Sequence, residues 1–261
     1  VRIKFVFVVL LCVFLTGCFE IEQNINLQKD LSGTADFHMG IDMEPMILIM
    51  AQVGREMEGK KGPVSAAELA KAKADFKKQS QNKKSDPAPD RKEMEKQLPP
   101  GVKLLDFKAT EKEFGVAMDM KFGFDKVASL IGVKMPQKEG GDPTSKNVMD
   151  TPFEGLQVIE KGGTITVQTK PANPAEKVNE QASEAAQQGG PKLDPEMEKM
   201  MKDAFAKMKV VYRINAPFTI VSHNATRKEG NTLIWEYDMK RFEELAKSKK
   251  NDFGVKVVYK R

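Results

Sequence analysis

Phe114, Val116, Met118, Met120, Phe122 and Phe124 alternate with small or charged residues over a full strand length. A strict period of two demands a β-strand with one buried face, because apolar positions on a helix recur every three or four residues. The pattern is not isolated. Three strand endings read alike: Phe37-His38-Met39-Gly40-Ile41-Asp42, Met120-Lys121-Phe122-Gly123-Phe124-Asp125 and Ile234-Trp235-Glu236-Tyr237-Asp238. Each follows a turn and each precedes a helical pattern, so hairpin, Asp cap and helix form a recurring unit. The expected fold class is α+β: an antiparallel, curved sheet of about eight strands, built from hairpins, with helices packed on one face.

The units fall in order along the chain. Phe19 to Leu27 and Ala35 to Ile41 flank a turn at Lys29-Asp30-Leu31-Ser32-Gly33, and Asp42 opens a helix. Ser65-Ala66-Ala67-Glu68 has the spacing of a capping box and starts a second helix, and Arg91 to Leu98 a short third. From Val102 to Ala109 the apolar phase slips at Leu104-Leu105, as a bulge would cause. Leu156 to Val167 fold about Gly162-Gly163. Asp194-Pro195 start a further helix, Val210 to Ile214 make a strand, and Phe218 to Ala225 another. Leu233 to Tyr237 follow, Asp238 caps a helix, and Val255 to Tyr259 close the series. One domain over 18–261 is expected, with flexible or helical insertions near 59–98, 134–152 and 172–193.

Before the first strand stands Leu15-Thr16-Gly17-Cys18, which resembles a bacterial lipobox. Arg2 and Lys4 supply a basic start, and Phe5 to Leu15 an apolar run too short for the roughly 20 residues of a membrane-spanning helix. Residues 1–17 therefore read as a lipoprotein signal peptide. Leu15, Thr16 and Gly17 are the recognition residues and Cys18 carries diacylglyceryl and palmitate chains. Two chains hold a protein firmly where one binds marginally. Phe19, where Asp would favour inner-membrane retention in a Gram-negative cell, points to the outer membrane in that setting.

Chemistry is sparse. Cys12 leaves with the leader and Cys18 is acylated, so the mature part has neither a disulfide nor a thiol nucleophile. His38 and His223 are the only histidines, which leaves no His/Cys set for zinc. Removing Arg2 and Lys4 lowers the formal charge from +5 to +3, too diffuse for a nucleic-acid binder. There is no nucleophile elbow or phosphate loop. Ser222 and His223 are neighbours on a strand and point to opposite faces. A hydrolase would need a carboxylate pair, for instance among Asp106, Glu111 and Asp119, in one cleft. No enzyme activity, cofactor or metal is expected.

The methionines are the unusual feature, 15 in all. Met43, Met46, Met50 and Met57 share one helical face; Met197, Met200, Met201, Phe205 and Met208 share another. Three readings fit: ordinary core packing at helical spacing, an adaptable surface for acyl chains or a partner, or copper(I) ligation. Met46, Met50, Met57, Met197, Met201, Phe205 and Met208 are the candidate apolar ligand surface.

The lipobox with its Lys29-Asp30-Leu31-Ser32-Gly33-Thr34 turn forms one signature. Asn215-Ala216-Pro217, His223-Asn224-Ala225 and Gly230-Asn231-Thr232 with Trp235 form a second. Together they resemble the LppM-like lipoproteins of the bacterial envelope. The resemblance implies an α+β, lipid-binding-like domain without known catalysis, and structural roles for Pro217 and Trp235. The expected function is a lipid-anchored cell-envelope protein with a binding or scaffold role. Its partners would be the membrane and an envelope protein or lipid. The alternative is a carrier or sensor of an apolar ligand held between the sheet and Met-rich helices.

Overall fold

Strands β1 (Phe19–Leu27) and β2 (Gly33–Asp42) form the first hairpin in a computed structural model that describes residues 19–82, 91–134, 153, 155–169, 199–200, 203, 206–247 and 254–261. Ile25, Leu27, Ala35, Phe37 and Met39 turn to the inside. At the turn, Leu31 adopts a left-handed backbone with φ 69° and is nonetheless buried, while its carbonyl accepts the Val127 N–H at 3.0 Å. Burial and that bond offset a conformation that side chains other than Asn, Asp and Gly seldom take.

Strands β3 (Val102–Lys112) and β4 (Gly115–Phe124) pair next to β2. The register of β3 on β4 slips between Leu104 and Asp106, where the sequence predicts a bulge. A 3-10 helix, Val127–Gly132, follows β4. Its cap position falls on Lys126 rather than Asp125, whose N–H is already given to the Gly101 carbonyl. Strands β5 (Leu156–Lys161) and β6 (Thr164–Thr169) turn about Gly162 and Gly163, both at positive φ. The chain closes with β7 (Lys209–Asn215), β8 (Thr219–His223), β9 (Arg227–Glu229), β10 (Thr232–Asp238) and β11 (Lys256–Lys260).

The class is α+β, with open antiparallel sheets and helices packed among them. Two details differ from the sequence reading, which expected one antiparallel sheet of about eight strands. The strands divide into a seven-stranded sheet, β3-β4-β2-β1-β7-β10-β9, and a four-stranded sheet, β5-β6-β11-β8. One pair, β1 on β7, is parallel. The stretch read as a single strand from Phe218 to Ala225 belongs to both sheets: β8 pairs with β11, and after Asn224 the chain crosses so that β9 pairs with β10. The main core lies on the inner face of the larger sheet and runs continuously into the smaller one. Phe153, just ahead of β5, sets its ring edge-on to Phe37 and Phe122 at 6.4 and 6.0 Å. The outer face of the larger sheet is a polar ladder in which His38 meets Asp119 at 2.6 Å and Arg213 meets Glu22 at 2.8 Å.

Four α-helices complete the described elements: α1 (Glu44–Met57), α2 (Ala66–Asn82), α3 (Arg91–Lys96) and α4 (Met239–Lys247). Asp238 caps α4 as the sequence suggests, accepting the Arg241 N–H at 2.7 Å, and Phe242 and Leu245 drop into the core. Asp42 stands one residue outside the cap of α1, accepting the Glu44 N–H at 2.9 Å. The capping box of α2 is reciprocal: Ser65 N–H donates to Glu68 at 2.9 Å and Glu68 N–H to the Ser65 hydroxyl at 3.3 Å. Within the insertion near 59–98, then, two helices form. The insertions near 134–152 and 172–193, and most of the helix expected after Asp194, lie outside the described residues. No helix among the described residues is long and apolar enough to cross a membrane.

Candidate functional site

The site is best built from the end of the larger sheet where β1 begins. Phe19 pairs with Ile41, and Asp42 with Gly115, so the start of β1, the entrance to α1 and the turn between β3 and β4 share one end. The Met43 N–H donates to the Phe114 carbonyl at 2.6 Å, which fixes the first turn of α1 to that edge. α2 returns antiparallel to α1 and leans on the same turn. Lys73 stands 5.5 Å over the Phe114 ring and pairs with Glu44, and Lys77 pairs with Glu113 at 3.5 Å.

Arg55 locks the helical hairpin. Its guanidinium donates to both Glu68 oxygens at 2.5 and 2.7 Å, to the Gly62 carbonyl at 3.1 Å and to the Lys61 carbonyl at 2.9 Å. The Glu68 carboxylate is thereby over-supplied with donors. Hydrogen bonds from the Ser65 N–H and hydroxyl, then the Arg55 charge, draw its pKa from 4.5 to about 2. Gln52, buried in α1, adds a bond to the Gly62 carbonyl at 3.3 Å. Sequence reasoning found the capping box but missed Arg55, whose signal, a lone cation in an apolar helix, was visible.

With α2 held on the Arg55 side, the opposite side of α1 is open. Met46, Met50 and Met57 are 41, 62 and 81% exposed, and Ile49 and Val53 beside them are half-buried. Core packing therefore does not describe this stripe. The residues that α1 does bury are Ile47 and Gln52. Met208 behaves differently: it is half-buried and packs against the main core. Met197, Met201 and Phe205 lie outside the described residues, as do Leu15, Thr16, Gly17 and Cys18. The structure thus brings Met46, Met50 and Met57 together and leaves Met208 elsewhere.

At the far end of the larger sheet lies an open concavity of about 560 Å³, lined by Lys29, Pro217, Phe218, Thr219, Lys260 and Arg261. It gathers the β1–β2 turn, the β7–β8 link and the last strand, which no sequence spacing could bring together. Phe218 rests on Tyr259 with ring centroids 5.9 Å apart, and Arg261 is engaged by Glu160 at 2.8 Å. The place is a shallow cationic dish rather than a sealed apolar cavity.

The carboxylates considered for hydrolysis are exposed on β3 and β4. Asp119 is held by His38, and Asp106 and Glu111 stand five residues apart along one strand. The Asn224 side chain makes three structural bonds: its Oδ1 accepts from Trp235 Nε1 at 2.7 Å and from the Lys256 N–H at 2.8 Å, and its Nδ2 donates to the Gly254 carbonyl at 2.9 Å. Trp235 is buried, in keeping with a structural role. No group of three or more His, Cys, Asp or Glu among the described residues is placed to hold a metal ion.

No family model matches the chain, and no curated protein does. Among solved structures the chain is similar to the NMR structure of the folded domain of LppM from Mycobacterium tuberculosis, at 10% identity over 95% of this chain and 92% of that one, with a TM-score of 0.42.

Proposed function

We propose that this protein is a lipid-anchored component of the bacterial cell envelope. Acyl chains on Cys18 hold it to a membrane, and it acts there as a binding or scaffold module without catalysis. The observation that carries the reading is the join between Leu15-Thr16-Gly17-Cys18 and β1. The sheet starts at Phe19, the residue after the anchor, so no linker separates fold from bilayer. A domain held that close meets partners in or on the membrane, either an envelope protein or lipid, and has no call for a nucleic acid or a cofactor. In a Gram-negative cell Phe19 favours the outer membrane. The open, cation-rimmed dish at the far end suits a surface contact better than a sealed lipid carrier.

The test is metabolic labelling with an alkynyl palmitate in a lipoprotein-processing bacterium, followed by membrane fractionation. The full chain should carry label and sediment with membranes, and Cys18→Ser should lose the label. Label that persists in Cys18→Ser defeats the reading. Native mass spectrometry from detergent should show the covalent chains and no further lipid. A stoichiometric extra lipid would favour the carrier instead.

A further inference from the structure

We infer that α1 is a second membrane contact, with the face formed by Met46, Met50 and Met57 seated among the headgroups and upper acyl chains of an anionic bilayer. The inference rests on the anchored reading and names the partner of the same end of the molecule.

The helix is apolar nearly all round, Met46-Ile47-Leu48-Ile49-Met50-Ala51, followed by Gln52 and Val53. Such a helix is normally buried on every side. α1 instead packs chiefly on α2 among the described elements. At 100° per residue Met46, Met50 and Met57 fall within about 40° of one another, with Met46 directly opposite Arg55, which grips α2, and Met57 and Met50 about 20° and 40° to one side. So the uncovered strip runs from Met46 to Met57, about 16 Å at 1.5 Å per residue. A contiguous exposed apolar strip marks a contact surface, and methionine suits one whose partner has no fixed shape.

Position selects lipid over a soluble partner. Cys18 immediately precedes Phe19, which is level with Ile41 on the neighbouring strand, and α1 starts at Glu44. Adjacent strands lie about 4.8 Å apart, so the acyl anchor emerges beside the first turn of α1. Charge agrees. Residues 44–82 carry seven Lys and Arg against five Asp and Glu, a net +2; at the tip of the hairpin Lys60 pairs with Glu58 at 2.7 Å and Lys61 follows it. A net basic flank beside an apolar strip fits a helix lying in an anionic interface.

The probe is the mature, acylated protein reconstituted in vesicles of phosphatidylethanolamine and phosphatidylglycerol. Met50→Cys supplies the one free thiol, since Cys18 is acylated, and takes an NBD label. Thr219→Cys, exposed at the far end of the sheet, is the reference. Flotation reports the anchor; emission and quenching by doxyl-labelled lipid report α1. Flotation with a blue-shifted, quenched label at position 50 and an unquenched one at 219 is expected. Adding Met46→Asp and Met57→Asp, both at exposed sites, should abolish the quenching while flotation remains. Flotation with no quenching at position 50 overturns the contact and leaves the anchor standing. A shielded label that doxyl lipid does not quench assigns the strip to a second copy or another protein, and overturns it too. Failure to float removes the anchored reading and this one with it. Quenching that survives the two Asp substitutions refutes the role of the methionine face.

Discussion

The indole Nε1–H of Trp235 donates to Asn224 Oδ1 at 2.7 Å, and this bond ties the seven-stranded sheet to the four-stranded one. Trp235 is on β10 and 1% exposed, whereas Asn224 lies where the chain leaves β8 to cross between sheets. Asn224 also accepts the Lys256 N–H and donates to the Gly254 carbonyl, so one amide fixes the start of β11 as well.

Asn224→Ala should therefore cost about 1–3 kcal/mol, the range for leaving a buried donor unpaired. Asn224→Asp keeps the acceptor but sets a carboxylate oxygen against the Gly254 carbonyl, so it should destabilise as well. Urea unfolding monitored by Trp235 fluorescence reads this: the midpoint falls with an unchanged slope. Equal midpoints for Asn224→Ala and the parent chain would remove Asn224 from its joining role.

The contrast with the sequence lies in what a period of two can specify. Alternation at Phe114 to Phe124 fixes which residues face inward, and the slip at Leu104-Leu105 marks the bulge. Ser65 to Glu68 and Asp238 announce helix starts because capping is local chemistry. Partner choice is not local. Nothing in Glu20 to Asn26 indicates that the strand runs parallel to Lys209 to Asn215, 189 residues away along the chain. The same limit hid the strand exchange at Asn224, since both halves read as β. It also hid the side of α1 that Met46, Met50 and Met57 occupy: a periodic apolar stripe marks a face, and only tertiary packing says what lies against it.

Two glycines should respond to alanine with opposite signs. A Cβ on Gly115 would lie 2.1 Å from the Ile41 carbonyl oxygen, a backbone atom in the β2–β4 pair that cannot swing aside. Gly115→Ala should destabilise by about 1–3 kcal/mol, as overpacking does, and loosen the entrance to α1. Gly54 is exposed within α1 with nothing within 4 Å, so Gly54→Ala should stabilise by about 0.5–1 kcal/mol through helix propensity. Thermal unfolding of both variants checks the pair.

Glu68 gives the helical hairpin a pH dependence. Its carboxyl has a pKa of about 2 in the folded chain, against 4.5 ordinarily, because Ser65 and Arg55 donate to the charged form. The unfolded chain takes up the proton first as pH falls, so acid favours unfolding. The Glu68 contribution is complete above pH 4.5 and disappears as pH drops from 4.5 towards 2. Glu68→Gln should be less stable than the parent near neutrality, and the gap should close across that window. Denaturation midpoints measured for both chains between pH 7 and 2.5 test this; a gap that stays constant would show that the Arg55–Glu68 clamp is not formed.

Methionine oxidation separates the surface strip from the core. Met46, Met50 and Met57 are 41–81% exposed, whereas Met94, Met118 and Met120 are 0–4% exposed. Oxidation to the sulfoxide follows access to the sulfur. Brief peroxide treatment of the detergent-solubilised protein at neutral pH should convert Met57 and Met50 first and Met46 next, with Met94, Met118 and Met120 spared until the chain unfolds. Peptide mass spectrometry gives the order. Because α1 touches the core little, the three sulfoxides should leave the unfolding midpoint almost unchanged. A large drop after selective oxidation of these three, or resistance of Met50 and Met57 to brief treatment, would mean that α1 is packed on the body of the protein and its methionine face covered.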